Sequence, residues 1–199
     1  MHPVGGYTSN VSGLAMRREA TYEDLVALPD DVVGQIIEGE LHATPRPAID
    51  HQRASSILGA DLANPFDRGR GGPGGWWIID EPELHLGRNV LVPDLAGWRR
   101  ERLPALPREP FFTLAPDWVC EILSPSTARL DRLKKLAAYA REGVAHTWLV
   151  DPSLETLEVF RRHGEAWLLV LTAGGDDVAR AEPFDAIELT LTGLWIRSA

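Results

Sequence analysis

The chain has 199 residues, of which 44% are hydrophobic and 25% are charged, and its formal net charge is −9. These values are typical of one globular domain, and they exclude the fibrous and the intrinsically disordered classes. Broad, non-specific binding to nucleic acid needs clustered Lys and Arg, so the acidic balance argues against it but leaves room for a local basic surface. The single cysteine, Cys120, excludes an intrachain disulfide and a multi-cysteine zinc site.

The apolar runs of the chain are short. Runs such as 148–150 and 166–172 fall far below the roughly 20 residues that a membrane-spanning helix needs. Residues 1–15 carry neither the basic start nor the apolar segment of a secretory signal. We therefore expect a cytoplasmic protein without a membrane partner, with a flexible tail at 1–16 and a single domain at 17–199.

The spacing of apolar residues, with glycine and proline between them, predicts a series of helices and strands. In chain order they are a helix at 21–28, a hairpin of strands 35–37 and 40–43, a helix at 50–62, strands 76–86 and 89–98, a strand at 117–123, a helix at 128–141, and strands 146–150, 156–161, 167–171 and 187–191. Glu38-Gly39 is typical of a tight hairpin turn, and Asn64-Pro65 is expected to end the second helix. The strand–helix–strand order around 128–141 predicts a parallel crossover, so we expect an α/β or α+β fold with a mixed sheet.

Two carboxylates stand among apolar residues, where an ionised side chain is costly unless it is paired or bound to a cation. Asp94 follows Val92-Pro93, and Glu121 lies 27 positions later in the next apolar strand. If the two strands are neighbours, both carboxylates point to one face at one level. Mg²⁺ relieves the repulsion between such acids, and it activates water for phosphodiester hydrolysis. The pair therefore suggests a metal-dependent phosphodiesterase. The alternative is that Pro93-Asp94 is a turn at the end of a strand and that Glu121 is a charge at a sheet edge or an interface.

The neighbours of Glu121 and the following helix add further candidates. Alternation along the strand places Cys120 on the opposite face from Glu121, which predicts a core residue and not a nucleophile. Asp131, Lys135 and Tyr139 recur at steps of four and so share one helix face. If that face looks towards the acids, Lys135 can orient water or stabilise developing charge. The alternative is an ordinary ion pair beside a packed tyrosine.

A combination of short motifs resembles the Uma-two family, which is grouped with the restriction-endonuclease-like folds of the PD-(D/E)xK superfamily. The likeness spans roughly residues 21–195 and rests on Ile36-Ile37-Glu38-Gly39-Glu40-Leu41, His51, Pro93-Asp94, Glu121-Ile122-Leu123-Ser124-Pro125-Ser126-Thr127, Asp131, Lys135-Leu136, Tyr139, Gly143-Val144 and Trp148-Leu149-Val150-Asp151-Pro152. The resemblance implies a central mixed sheet flanked by helices, with a hairpin near the N-terminus, and an endonuclease activity.

The resemblance also implies roles for single residues. Asp94 and Glu121 match the acidic metal ligands of the superfamily. The superfamily's lysine would stand where this chain has Leu123, and in the family a lysine on the next helix takes its place, a position that Lys135 matches. The family tends to carry a glutamate in the first hairpin strand, whereas this chain has Gln35, which offers an oxygen but no charge.

Other residues are candidates for supporting roles. Glu81 and Glu83 precede Asp94 on the previous predicted strand, and Glu83 is the preferred additional acid. Asp131 and Tyr139 are expected to hold Lys135. Lys134 lies about 100° around the helix from Lys135 and is the weaker candidate. The spacing between the histidines matches no known zinc motif. We therefore expect structural roles for His42, His51, His85 and His146.

The chain is thus expected to be a Mg²⁺- or Mn²⁺-dependent nuclease that acts on nucleic acid, most simply DNA, with Asp94, Glu121 and Lys135 as catalytic residues. One alternative is a binding or interaction module with little hydrolytic activity, which Gln35, Leu123 and the acidic balance favour. A poorer alternative is a sugar hydrolase that uses the two carboxylates. We expect a homodimer, because two-fold assemblies are the commonest and cutting both strands of a duplex commonly uses two sites.

Overall fold

The structure is a computed structural model that describes residues 18–197, so the predicted tail at 1–16 lies outside the described residues. The helices are α1 (Tyr22–Val26), α2 (Ile49–Leu62), α3 (Ala128–Leu130) and α4 (Leu136–Glu142). The strands are β1 (Val32–Ile37), β2 (Glu40–Pro45), β3 (Trp76–Asp80), β4 (Leu84–Leu86), β5 (Asn89–Leu91), β6 (Leu95–Arg99), β7 (Trp118–Ile122), β8 (His146–Asp151), β9 (Thr156–His163), β10 (Ala166–Gly174), β11 (Val178–Ala179) and β12 (Leu189–Thr190). Within residues 18–197, no helix is long and apolar enough to cross a membrane.

The large sheet is mixed, as the sequence predicts. Its strand order is β10-β9-β8-β7-β6-β3, in which β7 and β8 run parallel and the other neighbours run antiparallel. The predicted hairpin forms from β1 and β2, and it belongs to a smaller sheet of order β2-β1-β5-β4. Its two turn residues, Glu38 and Gly39, have φ angles of 54° and 78°, which suit a two-residue turn between twisted strands.

Both faces of the large sheet are covered, and strand β7 shows how the layers divide. Trp118, Cys120 and Ile122 pack on one face, in a core cluster that also contains apolar residues of α2 and of the C-terminal segment. Val119 packs on the other face, in a cluster with Ala138 and Tyr139 of α4. Cys120 is fully buried, which confirms the predicted core role. By the same alternation, Glu121 points into the layer between the sheet and α4.

The predicted strands 76–86 and 89–98 are wrong as single elements, because each divides in two. Strands β3 and β6 pair in the large sheet, whereas β4 and β5 pair in the small one. Pro82 and Pro93 stand at the two breaks, because proline has no N–H to donate to the hydrogen bonds between strands. The consequence for function is that Asp94 lies at the junction between the two sheets.

Two other predicted boundaries also need correction. The helix expected to end at Asn64-Pro65 continues through a π-helical turn, Ala63–Asp67. The strand predicted at 187–191 is reduced to β12, whose one partner strand within residues 18–197 is β11, and a 3₁₀ turn follows at Leu191–Leu194. Leu191 and Leu194 both enter the core cluster, and a spacing of three suits a 3₁₀ turn better than a strand.

A pair of substitutions tests the packing of Cys120 beside Glu121. Because the thiol is fully buried, Cys120→Ala is expected to lower the free energy of unfolding by about 1 kcal/mol. Cys120→Ser is expected to cost about 1–3 kcal/mol more, since it buries a hydroxyl in an apolar cluster. Urea denaturation measures the free energy of unfolding of the two variants. Equal values for both would contradict the position of the Cys120 side chain in an apolar core.

Candidate active site

The two predicted acids meet at one end of neighbouring strands. Antiparallel strands β6 and β7 pair Leu95 with Cys120, so the next position along each strand sets Asp94 opposite Glu121. The N–H of Ile122 donates to Oδ2 of Asp94 at 2.6 Å, which fixes the aspartate against the end of β7. The structure therefore brings together two carboxylates that lie far apart in the sequence.

Glu121 is buried between two donors from the helical segment. Its side chain is 3% exposed, and Lys135 Nζ donates to Oε2 at 2.6 Å. The hydroxyl of Tyr139 donates to Oε1 at 2.5 Å. Burial raises the pKa of Glu121, and the charge of Lys135 opposes that rise without cancelling it. The carboxylate is thus held in a place that disfavours its charge.

The charge of Lys135 is stabilised by the acids around it. Burial lowers the pKa of the ammonium group, but the charges of Glu121, Asp131 and Asp94 outweigh burial, and the pKa is raised. Asp131 Oδ1 lies 3.5 Å from Lys135 Nζ. The carbonyl oxygen of Val92 lies 3.4 Å from the same nitrogen. Lys135 therefore stays protonated and places a fixed positive charge beside Glu121.

The local fold explains why these helix residues face the sheet. The helical segment passes from α3 through a π-helical turn, Asp131–Lys135, into α4, and it ends at Gly143, whose φ of 88° is left-handed. Asp131, Lys135 and Tyr139 are all buried, as a shared face predicts. Lys134 points elsewhere and pairs with Glu40, so it is Lys135 that reaches the acids.

The supporting candidates divide between the site and its surroundings. Gln35 is buried on β1, and its Oε1 accepts the N–H of Val92 at 2.9 Å. Glu81 lines the same cleft as Gln35, but Glu83 does not. Oε1 of Glu83 instead lies 2.6 Å from His85 Nε2, and it accepts the hydroxyl of Tyr22 at 3.0 Å.

The sequence favours Glu83 as the additional acid, but it is Glu81 that lines the cleft with Asp94 and Glu121. In a continuous strand the two glutamates would share a face. Glu81 instead has a φ of 45° and is followed by Pro82, so the strand breaks and the two side chains diverge.

His51, for which the sequence predicts a structural role, lies beside the acids of the site. It lies on α2, is 7% exposed, and its Nε2 is 3.1 Å from Oδ1 of Asp94. Burial lowers the pKa of the imidazole, but the hydrogen bond and charge of Asp94, with the charges of Asp131 and Glu81, outweigh it, and the pKa is raised. Among the described residues, Nδ1 is buried without a hydrogen-bond partner.

A signal for His51 was present in the sequence. The histidine falls on the same apolar stripe of α2 as Ala54 and Leu58, at spacings of three and seven. That position predicts burial, and a buried imidazole needs a polar partner.

One cleft with a volume of about 320 Å³ brings most of the site residues together, and its lining includes Gln35, His51, Glu81, Asp94, Glu121, Asp131 and Lys135. Its wall carries the two acids and their neighbours, and its other lining residues include Arg46, Ser124, Ser126 and Thr127. A second cavity, of about 790 Å³, lies against α1 and the β1–β2 turn and contains none of the predicted catalytic residues. The predicted catalytic residues therefore line the smaller cleft and not the larger cavity.

The donor set of the cleft fits a magnesium or manganese ion. Within the described span 18–197, no group of three or more His, Cys, Asp or Glu side chains is arranged to hold a metal. Mg²⁺ needs fewer, since it is commonly held by one or two carboxylates together with water and substrate phosphate. Asp94 and Glu121 offer such oxygens, and each carboxylate oxygen retains a lone pair beyond its present hydrogen bond.

A matched pair of lysine variants tests the buried ion pair. Lys135→Met is expected to lower the free energy of unfolding by about 3–5 kcal/mol, because it leaves Glu121 buried without its cation. Lys134→Met removes a partly exposed pair and is expected to cost at most about 1 kcal/mol. Chemical denaturation measures both values, and similar small losses for the two variants would contradict the role of Lys135.

Comparisons with known proteins place the chain in a family. The Uma2 family model, described as "Putative restriction endonuclease", matches residues 20–192. A search of curated proteins finds no match. Among solved structures, the chain is similar to "a putative nuclease belonging to DUF820" from Anabaena variabilis, with a TM-score of 0.70, 22% identity, and coverage of 88% of this chain and 97% of that chain. This likeness shows a shared fold, and the family match shows that the chain belongs to the Uma2 family.

Proposed function

We propose that this protein is a Mg²⁺- or Mn²⁺-dependent nuclease that hydrolyses phosphodiester bonds of DNA. The observation that carries the proposal is the meeting of Asp94, Glu121 and Lys135 in one cleft of a Uma2-family chain. The family description supports restriction-endonuclease activity. The metal and the DNA substrate are inferred from the charge and chemistry of the cleft.

The contacts of the acids and of Lys135 indicate the role of each in the proposed reaction. Asp94 and Glu121 would hold the ion, with one oxygen of Asp94 fixed by the Ile122 N–H and Glu121 oriented by Tyr139. When bound, the ion supplies charge stabilisation to the phosphate and a more acidic water molecule. Lys135 would stabilise the negative charge that develops on the phosphate, and its burial limits the screening of its own charge by solvent.

The mouth of the cleft carries groups that suit a nucleic-acid backbone. The Ser124 hydroxyl lies 2.9 Å from that of Ser126 and 3.0 Å from that of Thr127, so three hydroxyls form one small network. Arg46 also lines the cleft. Hydroxyl and guanidinium groups are common partners of phosphate and sugar oxygens. These groups therefore support an anionic, phosphate-bearing substrate.

Cleavage by two acid-to-amide variants tests the proposal. Asp94→Asn keeps the shape of the side chain but removes a charged ligand, so Mn²⁺-dependent cleavage of plasmid DNA is expected to fall by at least about 100-fold. Glu83→Gln changes a carboxylate outside the cleft and is the control, for which cleavage is expected to stay at the wild-type level.

Thermal unfolding of both proteins accompanies the assay, so that a loss of folding is recognised. Equal cleavage by wild type and by folded Asp94→Asn would contradict the proposal. Loss of activity in Glu83→Gln alone would move the chemistry away from the cleft.

A second candidate function is a binding module that keeps the fold without efficient hydrolysis. The observation in its favour is that Gln35, an uncharged residue, occupies the hairpin position beside the acids and already accepts the N–H of Val92. A neutral amide at this position lowers the negative charge available to a cation. Under this candidate the cleft would bind its ligand and release it unchanged.

The substitution Gln35→Glu separates the two candidates. The glutamate can still accept the Val92 N–H, and it adds a negative charge to the cleft, so we expect Mn²⁺ to bind more tightly, by on the order of tenfold. Isothermal titration calorimetry measures the affinity, and a cleavage assay measures the rate. Tighter metal binding with faster cleavage favours the nuclease, whereas unchanged metal binding favours the binding module.

A further inference from the structure

We propose that His51 is a positioning residue, whose Nε2–H holds Asp94 in the orientation that its role in the cleft requires. The cleft and the acids are those of the proposed function, on which the metal-binding part of this inference rests. The orientation of Asp94 itself is a property of the protein without metal and can be measured separately.

The geometry around Asp94 carries the inference. Oδ2 accepts the backbone N–H of Ile122 at 2.6 Å, and Oδ1 lies 3.1 Å from Nε2 of His51. The terminal torsion of an aspartate is broad, so a carboxylate held at one oxygen turns readily about its Cβ–Cγ bond. Contacts at both oxygens stop that rotation. His51 supplies the second contact from α2, an element that does not carry either acid.

The environment of the ring argues against a role in packing alone. His51 lies on the apolar stripe of α2, beside Ala54 and Leu58. Its Nδ1 is buried without a hydrogen-bond partner among residues 18–197, which makes imidazole a costly choice for filling space. A leucine would pack there without an orphaned nitrogen. The polar contact that distinguishes this histidine from an apolar residue is the one to Asp94.

Two amide substitutions separate positioning from packing. In His51→Gln the side-chain amide reaches about as far as Nε2 and can still donate to Asp94. In His51→Asn the amide is shorter, ends near the position of Nδ1, and cannot reach it. His146→Asn is the control, because His146 is a half-buried histidine outside the cleft, and its Nε2 also lies near a carboxylate, 3.6 Å from an oxygen of Glu182.

Two measurements read the position of Asp94 and its effect. In the ¹H–¹⁵N spectrum of the metal-free protein, the Ile122 amide proton is expected downfield because of its short bond to a carboxylate. That shift is expected to be lost in His51→Asn and kept in His51→Gln and His146→Asn. Calorimetry with Mn²⁺ is expected to show an affinity about 10–100-fold weaker for His51→Asn, and most of the affinity is expected to be restored in His51→Gln.

The contrary results are equally distinct. A wild-type Ile122 shift together with wild-type Mn²⁺ affinity in His51→Asn would overturn the inference. Equal losses in the Asn and Gln variants, with a lower Tm in both, would assign His51 to packing and would also overturn it. If the wild-type protein binds no Mn²⁺, the proposed function fails, and the amide spectra still decide whether His51 positions Asp94.

Discussion

The arrangement of the cleft depends on the burial of the Glu121 carboxylate. The side chain comes from the centre of the large sheet and is 3% exposed, in a layer that is otherwise packed with apolar residues. A charge in such a place needs close partners. Lys135 and Tyr139 supply them, and this requirement explains why a helix face with a lysine and a tyrosine lies directly against β7. Asp131 then completes the surroundings of the lysine.

The second acid depends on a break in the sheet. Asp94 stands where the chain passes from the small sheet to the large one, directly after Pro93. Here its carboxylate meets the backbone of β7, while Gln35 of the small sheet binds the neighbouring Val92. The site is thus assembled from both sheets, α2 and the helical segment.

The sequence predicted those parts of the site that depend on a local period. Alternation along β7 separated Glu121 from Cys120, and a spacing of four placed Lys135 and Tyr139 on one face. The mixed sheet and the hairpin were also predicted, because their turn and strand signals are local. The π-helical turn at Asp131–Lys135 did not disturb the shared face.

The sequence did not predict what depends on contacts between distant elements. The division between Glu81 and Glu83 follows from a strand break whose backbone angle no residue pattern specified. The contact between His51 and Asp94 joins α2 to the sheet junction, and it required knowledge of which helix face packs on which strand end. Local periodicity fixes the face of one element, whereas the partner of that face is a property of the whole fold.

The function that we propose requires Asp94 and Glu121 to form one cation site. The most direct measurement is an anomalous difference map from crystals soaked in Mn²⁺. A peak is expected in the cleft, within coordination distance of an oxygen of each carboxylate. The absence of a peak at high Mn²⁺ concentration, or a peak that contacts neither Asp94 nor Glu121, would show that the two carboxylates do not form this site.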